Sequence, residues 1–238
     1  MIFDCHCHIE TGLEAYDLNS VYKRNIIFNQ VDHYDTFLKQ VPAGDAISLI
    51  FDYKQNYDRV KHAAESGVIQ AYKIHSREQK LTPDDFPALA DALEKVNSNI
   101  PVIFDAFYFD HHLLYQPYLP GIILLAERFP DKTFIVAHAG GIEILRYFFH
   151  LRTLPNIIYD LSFSLQYLED SSLYLDLIKL IKYTDKSKIM FGTDYFYASP
   201  KFQLEVMMRI MDKLSLDQKD QDAILFKNAE RVFFNNQV

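Results

Sequence analysis

The chain is poor in the features that mark secreted, membrane-bound or nucleic-acid-binding proteins. Cysteine occurs only twice in 238 residues, at Cys5 and Cys7. Two thiols so close together cannot staple distant segments, so a disulfide framework is excluded and a reducing, cytoplasmic setting is expected. Long apolar runs are missing too: Gly121 to Ala126 typifies the longest, far below the roughly 18 residues of a membrane span. The opening Met1-Ile2-Phe3-Asp4 has neither a basic n-region nor an apolar h-region. Glycine is sparse, seven residues beside nine prolines, and there is no internal repeat or low-complexity tract, which excludes fibrous and disordered classes. Positive charge is in deficit. Lys and Arg number 24 against 32 Asp and Glu, for a net charge of -8, and such a surface repels phosphate backbones and anionic headgroups. The expected partner is a small molecule, with no nucleic acid or membrane, and a homo-oligomer is compatible with the composition. What is abundant is apolar material, 49% hydrophobic and 15% aromatic, enough for one globular domain over residues 1–238.

Short β-branched or aromatic runs alternate with stretches of helical periodicity, the pattern of repeated strand-helix units. Eight strands are expected: Ile2 to His6, Asn25 to Val31, Ala46 to Phe51, Ile69 to His75, Pro101 to Phe107, Thr133 to His138, Asn156 to Leu161 and Lys188 to Asp194. Amphipathic helices are expected over Asp32 to Gln40, Tyr57 to Glu65, Pro83 to Val96, Pro120 to Phe129, Ile142 to Leu151, Leu173 to Tyr183 and Pro200 to Leu214. Thr82-Pro83 and Ser199-Pro200 each place a capping hydroxyl before a proline suited to a first helical turn. Eight parallel strands with helices between them close most economically into a (β/α)8 TIM barrel. An open doubly wound sheet would carry a Gly-rich phosphate turn after its first strand, and none is present.

Active sites of such barrels lie at the C-terminal ends of the strands, and titratable residues gather there. Strand one ends Asp4-Cys5-His6-Cys7-His8, where period-two alternation puts Asp4, His6 and His8 on one face and both cysteines on the other, packed behind the barrel. Two imidazoles two residues apart can converge on one cation, in a geometry that zinc, manganese and iron all accept. Strand four ends Lys73-Ile74-His75, strand five Phe104-Asp105, strand six His138-Ala139-Gly140-Gly141 and strand eight Gly192-Thr193-Asp194. Buried without partners, such charges would each cost several kcal/mol, so a metal or a paired network is required.

The Asp-x-His-x-His opening, Tyr-Lys-Ile-His at 72–75, Ala-His-Ala-Gly-Gly at 137–141, Met-Phe-Gly-Thr-Asp-Tyr at 190–195 and Ile-Leu-Phe-Lys-Asn-Ala-Glu-Arg-Val-Phe at 224–233 together resemble the amidohydrolase superfamily. Specifically, they resemble its amidohydrolase-related branch, which includes aminocarboxymuconate semialdehyde decarboxylase-like enzymes and small lactonases. The resemblance runs nearly end to end. It implies that His6 and His8 are metal ligands, that Asp194 is a ligand or proton acceptor, and that His138 ligates or assists proton transfer. It also carries a departure: where that family ends strand five with a histidine ligand, this chain has Asp105, which can still bind a cation through oxygen. The implied cofactor is one divalent metal, zinc in the first place, with manganese or iron as alternatives.

Each of these residues also has a plainer reading. Lys73 could neutralise carboxylates, hold a substrate anion, be carboxylated to bridge two metals, or form a simple ion pair with Asp105. His138 could be a neutral imidazole beside the Gly140-Gly141 turn, and Asp4 could serve backbone groups or orient a histidine. His75 shares the inward parity of Lys73. His111-His112, amid Phe107, Tyr108, Phe109, Tyr115 and Tyr118, could shape the pocket or pack as a lid, whereas His33 and His62 read as surface positions on helices. The expected activity is hydrolysis of a small carboxylated lactone, amide or related substrate by metal-activated water, with Asp194, His138 and Lys73 catalytic and Lys73, Arg77 and Lys80 making a local positive field. Decarboxylation at the same site is the enzymatic alternative. A metal-poor barrel with a binding role, resting on Asp105 alone, is the non-enzymatic one.

Overall fold

The computed structural model describes residues 1–8, 16, 18, 20–28, 39, 41–96, 99–107 and 118–235. Its strands are β1 (Ile2–Cys7), β2 (Val21–Phe28), β3 (Ala46–Ile50), β4 (Ala71–Ile74), β5 (Val102–Asp105), β6 (Phe134–Ala137), β7 (Ile157–Asp160) and β8 (Ile189–Met190). They form one sheet in chain order, every neighbouring pair parallel. The helices are α1 (Tyr57–Glu65), α2 (Phe86–Glu94), α3 (Leu119–Arg128), α4 (Ile144–Leu151), α5 (Ser164–Tyr167), α6 (Tyr174–Tyr183) and α7 (Pro200–Lys213), followed by a terminal helix that begins with α8 (Gln218–Asp222) and runs on to residue 235. Among the described residues no helix is long and apolar enough to cross a membrane.

The ring closes between β8 and β1 through main-chain bonds and not through a regular ladder. The N–H of Cys5 donates to the Phe191 carbonyl at 3.0 Å, that of Asp194 to His6 at 2.8 Å and that of His8 to Tyr195 at 2.6 Å. An extra residue in β1 breaks the register here, since Asp4 pairs with Arg24 but Cys7 with Ile26. This bulge corrects the expected alternation. Cys5 turns into the barrel with Phe3, Ile27 and Met190, Cys7 packs outward among Tyr16 and Ile26, and Asp4 leaves the face of His6 and His8. The Asp4 carboxylate fills the disrupted seam, accepting the N–H groups of His6 (3.2 Å) and Thr193 (2.8 Å) and the hydroxyls of Thr193 (2.6 Å) and Tyr16 (2.8 Å).

Two apolar layers follow from the period of the strands. Inward residues of all eight strands, from Phe3 and Ile27 to Ile158 and Met190, form the barrel interior with Ala229, Val232 and Phe233 of the terminal helix. Outward residues such as Tyr72, Phe104 and Tyr159 meet the helices. Both expected caps are formed: Thr82 and Asp85 make a reciprocal capping box before Pro83, and the Ser199 hydroxyl accepts the Phe202 N–H ahead of α7. Strand β8 is shorter than expected, because residues 191–194 leave β7 to close the seam and Asp194 turns into the left-handed region (φ 57°). The terminal helix and α5 were not expected. The terminal helix contains two wide π turns, Ala223–Lys227 and Arg231–Asn235, and so departs from the 3.6-residue period that a sequence reading follows. The expected helix over Asp32 to Gln40 lies outside the described residues except for Lys39, as do His33 and the loop residues Tyr108, Phe109, His111, His112 and Tyr115.

Candidate metal centre

Strand ends place the polar residues in one cavity of about 110 Å³, lined by His6, His8, Lys73, His75, Asp105, His138 and Asp194, with Arg77, Glu78, Phe107, Phe163 and Tyr197 completing the wall. All six residues implicated in metal binding or catalysis by the sequence are therefore brought together. Lys80 is exposed and does not line this cavity, so the expected positive field loses one member. His62 is exposed on α1, as expected.

Three imidazoles are held in the same manner, through Nδ1. In His6 it meets the Asp160 carboxylate at 2.6 Å, in His8 the Ile27 carbonyl at 3.2 Å and in His138 the Ser162 carbonyl at 3.0 Å. A carbonyl or carboxylate oxygen can only accept, so each Nδ1 carries a hydrogen and each ring turns its Nε2 toward the cavity. Burial, and after it the Lys73 charge, pulls His6 down to about 4, which keeps this ring neutral at pH 7. Asp160 is tied in turn by the Ser162 N–H (2.8 Å) and hydroxyl (2.9 Å), and stays ionised because these bonds and the neighbouring imidazoles outweigh its burial. Anchoring of this kind, with an outer carboxylate or carbonyl fixing the tautomer, is what metal-binding histidines require.

Asp194 Oδ1 lies 3.3 Å from Nε2 of both His6 and His8. The ligand atoms of His6, His138 and Asp194 all fall within 4.8 Å of one another. Acceptors facing acceptors at these distances repel unless a cation or proton sits among them, so the donor set fits a divalent ion bound through nitrogen and one carboxylate. Burial would raise Asp194, but His138 and its other imidazole neighbours hold it below the usual carboxylate range.

Asp105 lies to one side of that trio. Its Oδ2 is 3.5 Å from Lys73 Nζ, 3.4 Å from His138 Nε2 and 3.7 Å from His75 Nε2. Burial opposes its ionisation, yet His75, Lys73 and His138 together hold it far below the ordinary range. Lys73 also approaches His6 Nε2, at 3.3 Å. It therefore forms the ion pair weighed above, and as a carbamate it would set a second buried anion beside Asp105. His138 is lowered by burial but raised more by Asp194 and Asp105.

The backbone at this mouth is tightly specified. His138 and Ala139 both adopt left-handed conformations (φ 58° and 51°), and a Cβ on Gly140 would come within 2.6 Å of Tyr147. On Gly192 it would meet Asp160 Oδ1 at 2.7 Å and Cys5 Sγ at 3.0 Å, so only glycine lets β8 approach the carboxylate that orients His6. Asp160 is the functional residue missed in the sequence. It ends β7 with the inward parity of Ile158, the same signal that singles out Lys73 and Asp105.

A sequence model described as amidohydrolase matches residues 96–234, more than half of the chain. The chain belongs to the amidohydrolase family. No curated protein matches it. Among solved structures, it is similar to an uncharacterized TIM-barrel protein from Bordetella bronchiseptica, with 16% identity, 95% of this chain and 81% of that one covered, and a TM-score of 0.71. It is also similar to dihydroorotase from Saccharomyces cerevisiae, solved with 5-fluoroorotic acid (13% identity, 98% and 84% covered, TM-score 0.69). A third is a dihydroxybenzoic acid decarboxylase from Polaromonas sp. JS666 with bound manganese and 2-nitroresorcinol (10% identity, 100% and 98% covered, TM-score 0.64). At these identities the likeness is one of fold, and it places this amidohydrolase among (β/α)8 barrels.

Proposed function

We propose that this amidohydrolase is a metal-dependent hydrolase of a small carboxylated lactone, amide or related compound. The observation that carries the reading is the convergence of three Nδ1-anchored imidazoles and Asp194 with their lone pairs turned toward one point. His6, His138 and Asp194 would hold the ion, with His8 beside Asp194 and Asp105 as the flanking carboxylate. Zinc is the first choice for a nitrogen-rich set, and manganese or iron suit it too. When bound, the cation supplies Lewis acidity, acidifying water and polarising a carbonyl.

The remaining chemistry falls to the chain's own groups. Asp194, ionised and partly reachable from the cavity, accepts the proton of the attacking water at a carboxylate oxygen. Lys73 brings a fixed positive charge next to His6 Nε2, where it stabilises negative charge developing on a carbonyl oxygen. Asp105 keeps Lys73 and His138 in place, and the proton that Asp194 takes from the water is passed on from its carboxyl to the leaving group. Asp105 stands outside the His6, His138, Asp194 trio, so in this reading the ion is held without a ligand from β5.

Protein prepared without chelator from zinc- or manganese-supplemented medium is expected to carry about one divalent ion per chain. Replacing His6 by Ala should remove the ion and the hydrolytic activity while a cooperative circular dichroism melt persists. Metal-free protein that binds none on titration would defeat the proposal.

A further inference from the structure

The cavity lining carries three carboxylates, from Glu78, Asp105 and Asp194, against two permanent cations, Lys73 and Arg77. A divalent ion reverses that balance, so the loaded pocket attracts an anion. The two cations are not equivalent. Lys73 is 1% exposed and committed to Asp105 and His6. Arg77 is half-buried in the wall, four residues beyond Lys73 on the loop that leaves β4, and its charge acts on the neighbouring His75. A guanidinium grips a carboxylate through two parallel N–H bonds, which an ammonium cannot do. In a ring of eight strands β4 stands opposite β8, so Arg77 enters from across Asp194 and Tyr197.

The remaining walls are aromatic. His8, His6 and His138 follow one another with ring centres 5.3 and 5.0 Å apart. At one end of this row stands Tyr197, 5.8 Å from His8. At the other stand Phe107 and Phe163, 5.8 and 6.1 Å from His138 and packed edge to face on each other at 5.0 Å. The space over the imidazoles is thus bounded by rings at both ends, which suits a flat body.

We infer that Arg77 is the specificity-determining residue of this site, holding a carboxylate of a flat substrate on the β4 side of the mouth so that an uncharged carbonyl, and not the carboxylate, lies over His6, His138 and Asp194. The inference rests on the hydrolase reading and adds to it the anchor and the orientation.

Calorimetric titration of the metal-loaded protein with benzoate and with its neutral isostere benzamide tests this. Benzoate should bind at millimolar concentration or below and about 10-fold or more tighter than benzamide, Arg77→Gln should erase that ratio, and Arg77→Lys should keep part of it. Chelation should weaken benzoate binding less than Arg77→Gln does. No benzoate binding by the wild-type protein, or wild-type benzoate affinity in Arg77→Gln, overturns the inference. So does loss of benzoate binding on chelation with retention in Arg77→Gln, which would put the carboxylate on the ion as decarboxylation requires. Should Arg77→Gln fail to fold, Arg77→Lys reads the same ratio, since it keeps the charge without the fork. Metal content measured on the same samples judges the hydrolase reading separately: an ion-free protein removes that reading, and the dependence on Arg77 still stands or falls by the titration.

Discussion

Lys73 and Asp105 form a buried ion pair that other groups share on one side only, since His75 and His138 also face the carboxylate. Both are buried, Lys73 almost completely, and Lys73 would be left an uncompensated charge if Asp105 were removed. Asp105→Asn is expected to lower stability by about 3 to 5 kcal/mol, the range for breaking a buried pair from one side, while metal content stays near one per chain because the carboxylate is outside the ligand trio. Lys73→Met should be milder, since His75 and His138 still face Asp105, and the double variant should recover part of the Asp105→Asn loss. Denaturant unfolding with elemental analysis of each variant checks all three statements. A loss of metal in Asp105→Asn would instead make Asp105 a ligand. At this scale Lys73, Asp105, His138 and Asp194 were legible from their places at strand ends. The inward turn of Cys5 and the departure of Asp4 were not, because a bulge is a property of two strands in register, and β2 offers no local sign of where β1 will slip.

The seam between β1 and β8 is the element most exposed to a single substitution. Asp4 supplies the acceptors that the bulge removes from the ladder, serving four donors at once. Asp4→Ala should leave those donors unsatisfied and destabilise the protein by about 3 kcal/mol or more, and it should loosen His6 enough to weaken metal binding, read by competition against a chelating dye. Intact stability in this variant would mean that water replaces the carboxylate. The strands and most helices were readable because their apolar periods are regular and their caps, at Thr82 and Ser199, use ordinary chemistry. The terminal helix escaped because its π turns depart from the regular helical repeat, and the short length of β8 reflects a choice of partner that only closure of the ring decides.

Across the whole molecule, stability should depend on pH through a group far from the cavity. Lys132, just before β6, is buried with its ammonium donating to the Ile100 carbonyl at 3.2 Å, and burial lowers its pKa to about 8. The unfolded chain keeps the ordinary value near 10.4, so between these two pH values it binds more protons than the folded one and stability rises with pH. Relative to Lys132→Met, the wild-type protein should gain a few kcal/mol between about pH 8 and pH 10.4, with the penalty fully present below pH 8. Denaturant melts of both proteins across that interval decide it, and parallel curves would show the amine to be solvated. The architecture as a whole was legible from the count of strands and the position of their charges, whereas the partner of each charge depended on contacts across the ring.

Closure of that ring has a consequence for how the protein comes into being. Successive strands pair with their immediate neighbours, so seven of the eight junctions involve local stretches of chain. The eighth joins Cys5 to Phe191 and His6 to Asp194, across most of the polypeptide. A nascent chain emerging from the ribosome must therefore carry His6 and His8 without their β8 partners until Asp194 has been synthesised, and contacts of such long separation form late and slowly. The His6, His138, Asp194 trio is assembled by the same event, so on the proposed reading uptake of an ion would report completion of the barrel, and a chain stalled before β8 would have no centre to load.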